Sequence, residues 1–272
     1  MKKKLVLILL LLAASTGYAS TIGNPIKPLG DKKLAVTVEP NFMHDRDIKA
    51  EGESTNGSKI NTFTISSQTQ GYAKLTLGVT DYLNLFAKIG SSKFNGIDIK
   101  FSTNEDVTIE TDSGLSYGAG FNAVYQVGSD ELYSLNLDLD THFVCFLGFN
   151  GGFAFSEADA DEMYVSGSNA INVSGKIKNQ EFQAGIFTGI ELFIDDNFSV
   201  APYVSSFWNS YHIKTDGVRY GNTNILNFDS SAEDQFGAGL GVDINFSKNV
   251  TFNIEGRFIG GNEISFGGTL KF

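Results

Sequence analysis

The chain has 272 residues, 42% hydrophobic and 12% aromatic, with 30 glycines but only 4 prolines and one cysteine. Its formal charge of −11 at pH 7 makes nucleic acid an unsuitable partner, and the lone Cys145 forms no intramolecular disulfide. No run after Ala19 reaches ~18 consecutive apolar residues, so a transmembrane helix is excluded from the mature chain and any passage through a bilayer must use strands.

Residues 1–19 read as a signal peptide: Lys2, Lys3 and Lys4 form the basic start, Leu5 to Ala14 the apolar core, and Gly17 and Ala19 the small residues before a cleavage at Ser20. Loss of those three lysines takes the charge from −11 to −14. No cysteine follows the site, which argues against lipoprotein processing. Residues 20–32, with Pro25, Pro28 and Gly30, read as a short periplasmic lead, and residues 33–272 as one domain.

From there apolar residues recur at every second position, the period of a strand with one apolar and one polar face. Leu34, Val36 and Val38 open the series; Ala73, Leu75, Leu77 and Val79 follow, then Leu83, Leu85, Ala87 and Ile89, then Leu115, Tyr117, Ala119 and Phe121. Tyr133 to Phe143 is apolar at nearly every odd position and reads as a strand of its own. Further faces are Phe182 to Leu192, Phe236 to Ile244, Val250 to Phe258, and Ile264 to Phe272. Phe198 to His212 is strand-like, but Tyr203, Phe207 and Trp208 crowd it so that both facings remain open.

Connections alternate in length. Thr80 to Tyr82, Gly128 to Leu132, Asp195 to Asn197 and Ser247 to Asn249 are tight; residues 44–58, 91–112, 150–175 and 213–230 read as long loops, and 260–262 as a shorter one. Short periplasmic turns and longer extracellular loops are the pattern of an outer-membrane barrel, whose strand number is even when both ends lie on one side. The expected fold is all-β: a single closed antiparallel transmembrane β-barrel of about ten strands, with eight and twelve the neighbouring counts. Within the second long loop, Ile97 to Phe101 and Val107 to Glu110 flank a polar tip and predict a hairpin that projects as paired strands.

The polar face carries Glu39, Lys74, Lys88, Asp138, Asp140, His142, Glu191, Asp243, Glu255, Arg257 and Lys271. In a narrow barrel these form a lumen network that fills the interior by pairing across it. Inward Gly118, Gly120, Gly237, Gly239 and Gly241 work the other way, since they leave room for a narrow water path.

These residues resemble the bacterial outer-membrane β-barrel superfamily, in the style of small porin-like and OmpA-like barrels, over the whole mature chain. The most specific element is the end, Ile264-Ser265-Phe266-Gly267-Gly268-Thr269-Leu270-Lys271-Phe272, which resembles the terminal strand read by the barrel assembly machinery, with Phe266, Leu270 and Phe272 as the signal. Leu77 to Gly90 is similar to the strand, turn, strand units of such proteins. The resemblance implies outer-membrane lipid, lipopolysaccharide and the assembly machinery as partners, and it carries over no reaction, cofactor or metal.

Three constellations carry chemistry in principle. Asp138, Asp140 and His142 share one strand face, and the reading preferred here is lumen pairing rather than metal or acid–base work. Ser210 and His212 place a hydroxyl and an imidazole near a rim, as surface hydrolases of outer-membrane lipid do, but in the reverse order of the lipid A deacylase type and with no third member in view; omptin proteases have an Asp where Ser210 stands. Glu157, Asp159, Asp161 and Glu162 lack the spacing and turn glycine of a calcium loop and read as a solvated acidic surface. The expected protein is therefore a non-enzymatic outer-membrane barrel with a structural or surface-interacting role and a plugged lumen. Its rivals are a small channel, a surface hydrolase and a soluble periplasmic ligand-binding barrel with its apolar face turned inward.

Overall fold

A segment that alternates apolar and polar residues must hand its edges to neighbouring strands and give its two faces to two different media. The computed structural model describes residues 29–49, 52–54, 58–103, 105–127, 133–134, 142–166, 169–232, 236–258 and 262–272, nearly all of them in strands. In chain order these are β1 (Leu34–Ile48), β2 (Gly52–Ser54), β3 (Ile60–Gly78), β4 (Leu83–Phe101), β5 (Asp106–Thr111), β6 (Gly114–Val127), β7 (Tyr133–Ser134) and β8 (His142–Val165). There follow β9 (Ile171–Asn172), β10 (Lys176–Asp195), β11 (Phe198–Thr215), β12 (Val218–Tyr220), β13 (Thr223–Ser231), β14 (Phe236–Ser247), β15 (Val250–Phe258) and β16 (Asn262–Lys271).

Ten of them form a closed antiparallel ring, β1–β3–β4–β6–β8–β10–β11–β14–β15–β16, shut by the pairing of Val36 with Leu270 and Phe42 with Ile264. Closure leaves the ring no free edge. Both described ends of the chain sit at the end with the tight turns: Phe272 N–H donates to the Leu34 carbonyl, and Leu29, itself buried, donates its N–H to Asn84 Oδ1 at 3.1 Å.

The four long connections read from the sequence are largely strand. Ring strand β8 alone has 24 residues, whereas about 9–11 tilted residues cross a bilayer, so more than half of it stands clear of the apolar band. The 97–110 hairpin exists as the end of β4 paired with β5, and β5 continues onto β8. Beyond β11, β12 and β13 form a hairpin that binds β2 on its far edge. Polar tips look like loops in a sequence because alternation there is carried by Thr, Ser and Asp on the outer face.

Tyr133 to Phe143 is not one strand. Tyr133 pairs with Phe143 and Ser134 with His142, so the chain reverses between them, and alternation, which sets facing, does not register a reversal. Residues 135–141, with Asp138 and Asp140, lie outside the described residues, as do the side chain of His142, the signal segment and most of the lead.

Facing divides the molecule along its axis. At the turn end and middle, Leu75, Leu85, Leu147, Phe149, Ile186, Val204, Leu240 and Ile254 point outward and are exposed, flanked by Tyr82 and Tyr125 at one margin and by Tyr117, Phe236 and Phe258 at the other. Such a belt with aromatic girdles is the lipid-facing surface of an outer-membrane barrel. The soluble ligand-binding barrel is thereby excluded, since it requires the opposite facing in this band. At the loop end the faces exchange: Ile65, Ile97, Ile99, Ile109, Ile177 and Ile213 point inward with 0% exposure and join Phe63, Phe94, Phe101, Tyr211, Val218, Leu226 and Phe228 in one core.

Candidate functional site

The lumen is built in storeys, because every ring strand contributes an inward residue at each second position. At the turn end, Ser199 Oγ donates to Glu191 Oε1 at 2.6 Å, Asn245 Nδ2 to Ser199 Oγ at 3.0 Å and Thr251 Oγ1 to Asn245 Oδ1 at 2.6 Å. Just above lie the apolar side chains of Val124, Phe146, Phe187 and Ala201 with the ring of Tyr203.

The middle storey is ionic. Lys74 donates to Glu39, both buried, and Lys88 lies with its Nζ 4.2 Å from the Tyr72 ring centre. Arg257 grips Glu255 by two bonds, Nε to Oε1 at 2.9 Å and Nη2 to Oε2 at 3.1 Å, and sends Nη1 to Gln183 at 3.2 Å. Its Nη1 is also 3.6 Å from Glu263, which Arg46 approaches at the same distance while reaching Glu181 at 3.5 Å. Tyr203 donates to Glu255 at 3.1 Å, and Asn253 donates to Asp243. A two-bond guanidinium–carboxylate fork and shared carboxylates pair these buried charges, and one buried charge left unpaired would cost several kcal/mol.

Seven of the eleven expected lumen residues are thus buried inward: Glu39, Lys74, Lys88, Glu191, Asp243, Glu255 and Arg257. Lys271 is half-buried at the turn-end mouth, lining a recess of about 430 Å³ with Leu29, Lys33, Asn245 and Phe272. Phe266 and Phe272 are exposed and Leu270 half-buried, along the outer side of the last strand. Sequence reading missed Arg46, Glu181 and Glu263. The last two flank the outward residues Phe182 and Ile264, so parity alone was enough to find them. Arg46 had no such signal: Asp45 takes a left-handed φ of 53° and lacks a partner on β3, and beyond it the buried positions of β1 move from odd to even numbers, Met43 giving way to Arg46 and Ile48.

Three of the glycines leave space that aromatic rings take up. A Cβ on Gly241 would meet Tyr203 Cζ at 2.2 Å, one on Gly120 would meet Phe86 Cζ at 2.6 Å, and one on Gly148 would meet Phe187 Cζ at 2.0 Å. Each missing side chain is the seat of an aromatic ring from a neighbouring strand. Above the ionic layer Tyr211 donates to Gln68 at 3.2 Å and Gln68 to Ser92 at 3.0 Å, and from there upward the filling is apolar, with Phe228 of β13 edge-on to Phe63 at 4.9 Å.

On the outer wall β11 faces are resolved: Ser199, Tyr203, Phe207, Asn209 and Tyr211 lie inward, while Trp208, Ser210 and His212 lie outward. His212 Nε2 is 2.9 Å from Asp229 Oδ1 of β13, the acidic neighbour that the sequence did not reveal. Ser210 and His212 share the outward face of β11, and the hydrogen-bonded partner of His212 among the described residues is Asp229 rather than Ser210. The acidic series is strung along β8, with Glu157 bound by Lys176 and Glu162 accepting from Tyr164 at 2.6 Å. No group of three metal-ligating side chains occurs among the described residues.

No family model matches the chain, and no curated protein does. Solved structures to which it is similar include the outer membrane protease OmpT from Escherichia coli, at 8% identity over 93% of this chain and 99% of that one, TM-score 0.48. The transport unit of the autotransporter AIDA-I from Escherichia coli is 8% identical over 97% and 95%, TM-score 0.37. An outer membrane channel from Pseudomonas putida F1 is 11% identical over 93% and 100%, TM-score 0.33. A protease, a transport unit and a channel have no activity in common, so these likenesses transfer none.

Proposed function

We propose that this bacterial outer-membrane β-barrel is sealed and acts through its surface, as a structural or surface-interacting protein rather than as a pore. One observation supports the reading: among the described residues, inward side chains meet in a polar cluster at the turn end, in ion pairs across the middle, and in an apolar core under the β12–β13 hairpin. Barrels of about eight strands are just filled by side chains and open channels begin near sixteen, so ten strands suit a filled bore. Buried charges of both signs pair here, whereas a selective pore lines its constriction with one sign. Single-channel recording of refolded protein in planar bilayers tests it: silence is expected, and large, uniform, stable steps would establish the channel instead.

The last strand serves the same reading as the handle for assembly. Phe272 is exposed at the turn end and closes the ring through its N–H. Phe272→Ser is expected to strip the heat-modifiable folded form from the outer membrane, and unchanged yield would show that the signal lies elsewhere.

A further inference from the structure

Three polar side chains stand in line on the outer wall just above the apolar belt. On β11, Ser210 and His212 share the outward face, one rung apart at about 6.6 Å. Asp229 of β13 stands opposite Lys214, one rung above His212, and reaches back so that its Oδ1 is 2.9 Å from His212 Nε2. Carboxylate and hydroxyl therefore flank the imidazole from opposite ends of the face. A carboxylate accepts from the N–H at Nε2, which makes Nδ1 the basic nitrogen of the neutral ring.

Ser210 and His212 both line a recess of about 360 Å³, whose other walls include Tyr117, Phe153, Phe155 and Phe182 with the exposed Gln180. Tyr117 and Phe155 close one side, their ring centres 5.3 Å apart, and Phe182 packs edge-on to Trp208 at 5.8 Å. Gln180 is the cross-strand partner of His212, and Phe182 that of Ser210. An amide, a hydroxyl and an imidazole thus meet beside an aromatic cradle.

We propose that Ser210, His212 and Asp229 form an esterase site whose substrate is a carboxylic ester of a long acyl chain. The chain lies against Tyr117, Phe155 and Phe182, which sets the carbonyl beside Ser210 with the Gln180 amide as donor to its oxygen. Ser210 Oγ bonds to the carbonyl carbon as its proton passes to His212 Nδ1. The C–O bond to the alcohol then breaks, and His212 returns the proton to the departing oxygen. Water, giving a proton to His212, cleaves the acyl-Ser210 ester; the acid leaves and the hydroxyl is restored. Asp229 is a positioning residue: it touches no substrate atom, orients the ring and balances the imidazolium. Nucleophile and base close into hydrogen-bonding contact with substrate in place, as such pairs commonly do. The site lies on the outer wall, so it adds an activity to the surface and stands whether or not the lumen conducts.

Full-length refolded protein in detergent micelles, given p-nitrophenyl dodecanoate, p-nitrophenyl acetate or a diacyl phospholipid, and separately a fluorophosphonate, tests this. Expected are turnover of the dodecanoate with little of the acetate, and a single phosphonyl adduct mapped to Ser210 by mass spectrometry. Fatty acid released from the phospholipid as well would identify a membrane ester as the source; turnover of the dodecanoate alone would identify a diffusing one. Ser210→Ala is expected to abolish adduct and turnover, and His212→Gln to slow turnover at least about a hundredfold. Asp229→Asn is expected to lower kcat about tenfold at unchanged KM, a smaller loss than at a buried carboxylate, and Leu75→Ala on β3 to change nothing. Heat-modifiable gel mobility confirms that each variant folds. Folded wild type without an adduct at Ser210, turnover that survives Ser210→Ala, or acetate used as well as the dodecanoate would overturn the proposal.

Discussion

On strand β3 two successive pairs of neighbours tell opposite stories. Near the turn end Leu75 faces out, exposed, and Lys74 faces in, buried; ten residues earlier Thr64 faces out and Ile65 faces in with 0% exposure. The same alternation therefore builds an inside-out protein in one half and an ordinary soluble core in the other. What changes is the medium outside the wall. Against lipid the outer face must be apolar and the backbone fully paired, which leaves the lumen as the place for charge; against water the outer face takes Thr, Asp and Lys, and the lumen becomes the hydrophobic core.

A lysine scan along these strands breaks or sharpens that contrast. Ile97→Lys, inward in the loop half, is expected to destabilise by more than about 4 kcal/mol, because it buries an unpaired charge among isoleucine and phenylalanine. Leu75→Lys, outward in the belt, is expected to cost about 2–4 kcal/mol near the bilayer midplane. Thr64→Lys, outward in the loop half, is expected to stay within about 0.5 kcal/mol. Urea unfolding of refolded barrels in vesicles, followed by Trp208 fluorescence, gives all three. Equal costs at Thr64 and Leu75 would place the membrane boundary elsewhere.

The second test concerns what holds the inside-out half. Lys74→Met leaves Glu39 buried without its partner and is expected to cost about 3–5 kcal/mol, whereas the double variant Glu39→Gln, Lys74→Met is expected to recover most of that loss. Additive losses in the same unfolding measurement would mean that the pair is hydrated rather than dry. No comparable rescue is expected at Ile97, which packs into the apolar loop-end core formed by the described residues.

Much of this division was legible in the sequence. The number of ring strands and the three tight turns within the described residues follow from period-two runs such as Leu83 to Ile89 and from Thr80 to Tyr82, Asp195 to Asn197 and Ser247 to Asn249, and parity places seven of the expected charges where the structure buries them; the turn expected at 128–132 lies outside the described residues. What escaped was longer in range. The loop-end core depends on Ile97, Ile109, Ile177 and Ile213, which come from four strands, and their convergence is a property of closure rather than of any one segment. Arg46 was hidden by the change of parity at the left-handed Asp45, and the facing of β11 by aromatic residues on both sides. Asp229 reaches His212 only because β13 folds back onto β11.

The smallest expected effect tests whether the projecting ends of β8 are ordered structure, as paired strands require, or frayed tips. Tyr164 donates to Glu162 at 2.6 Å, two residues away on the same face. That hydrogen bond to a carboxylate, with a smaller contribution from burial and the nearby charge of Glu162, pushes the phenol from its ordinary value of 10 up to about 12. The direction fixes the pH window. A group whose folded pKa is raised favours the folded state while protonated, so this contact is fully present below pH 10 and is lost as the pH rises through about 12. The phenol is solvent-accessible, so the effect is read from its titration and not from global stability. The ultraviolet titration of the wild type minus that of Tyr164→Phe isolates this one phenol. Its midpoint is expected at about 12, and Glu162→Gln is expected to bring it back toward the ordinary tyrosine range, since the amide keeps an acceptor but removes the charge. A midpoint already in that range in the wild type would mean that the strand end frays, and that the ordered soluble-like half stops short of residue 162.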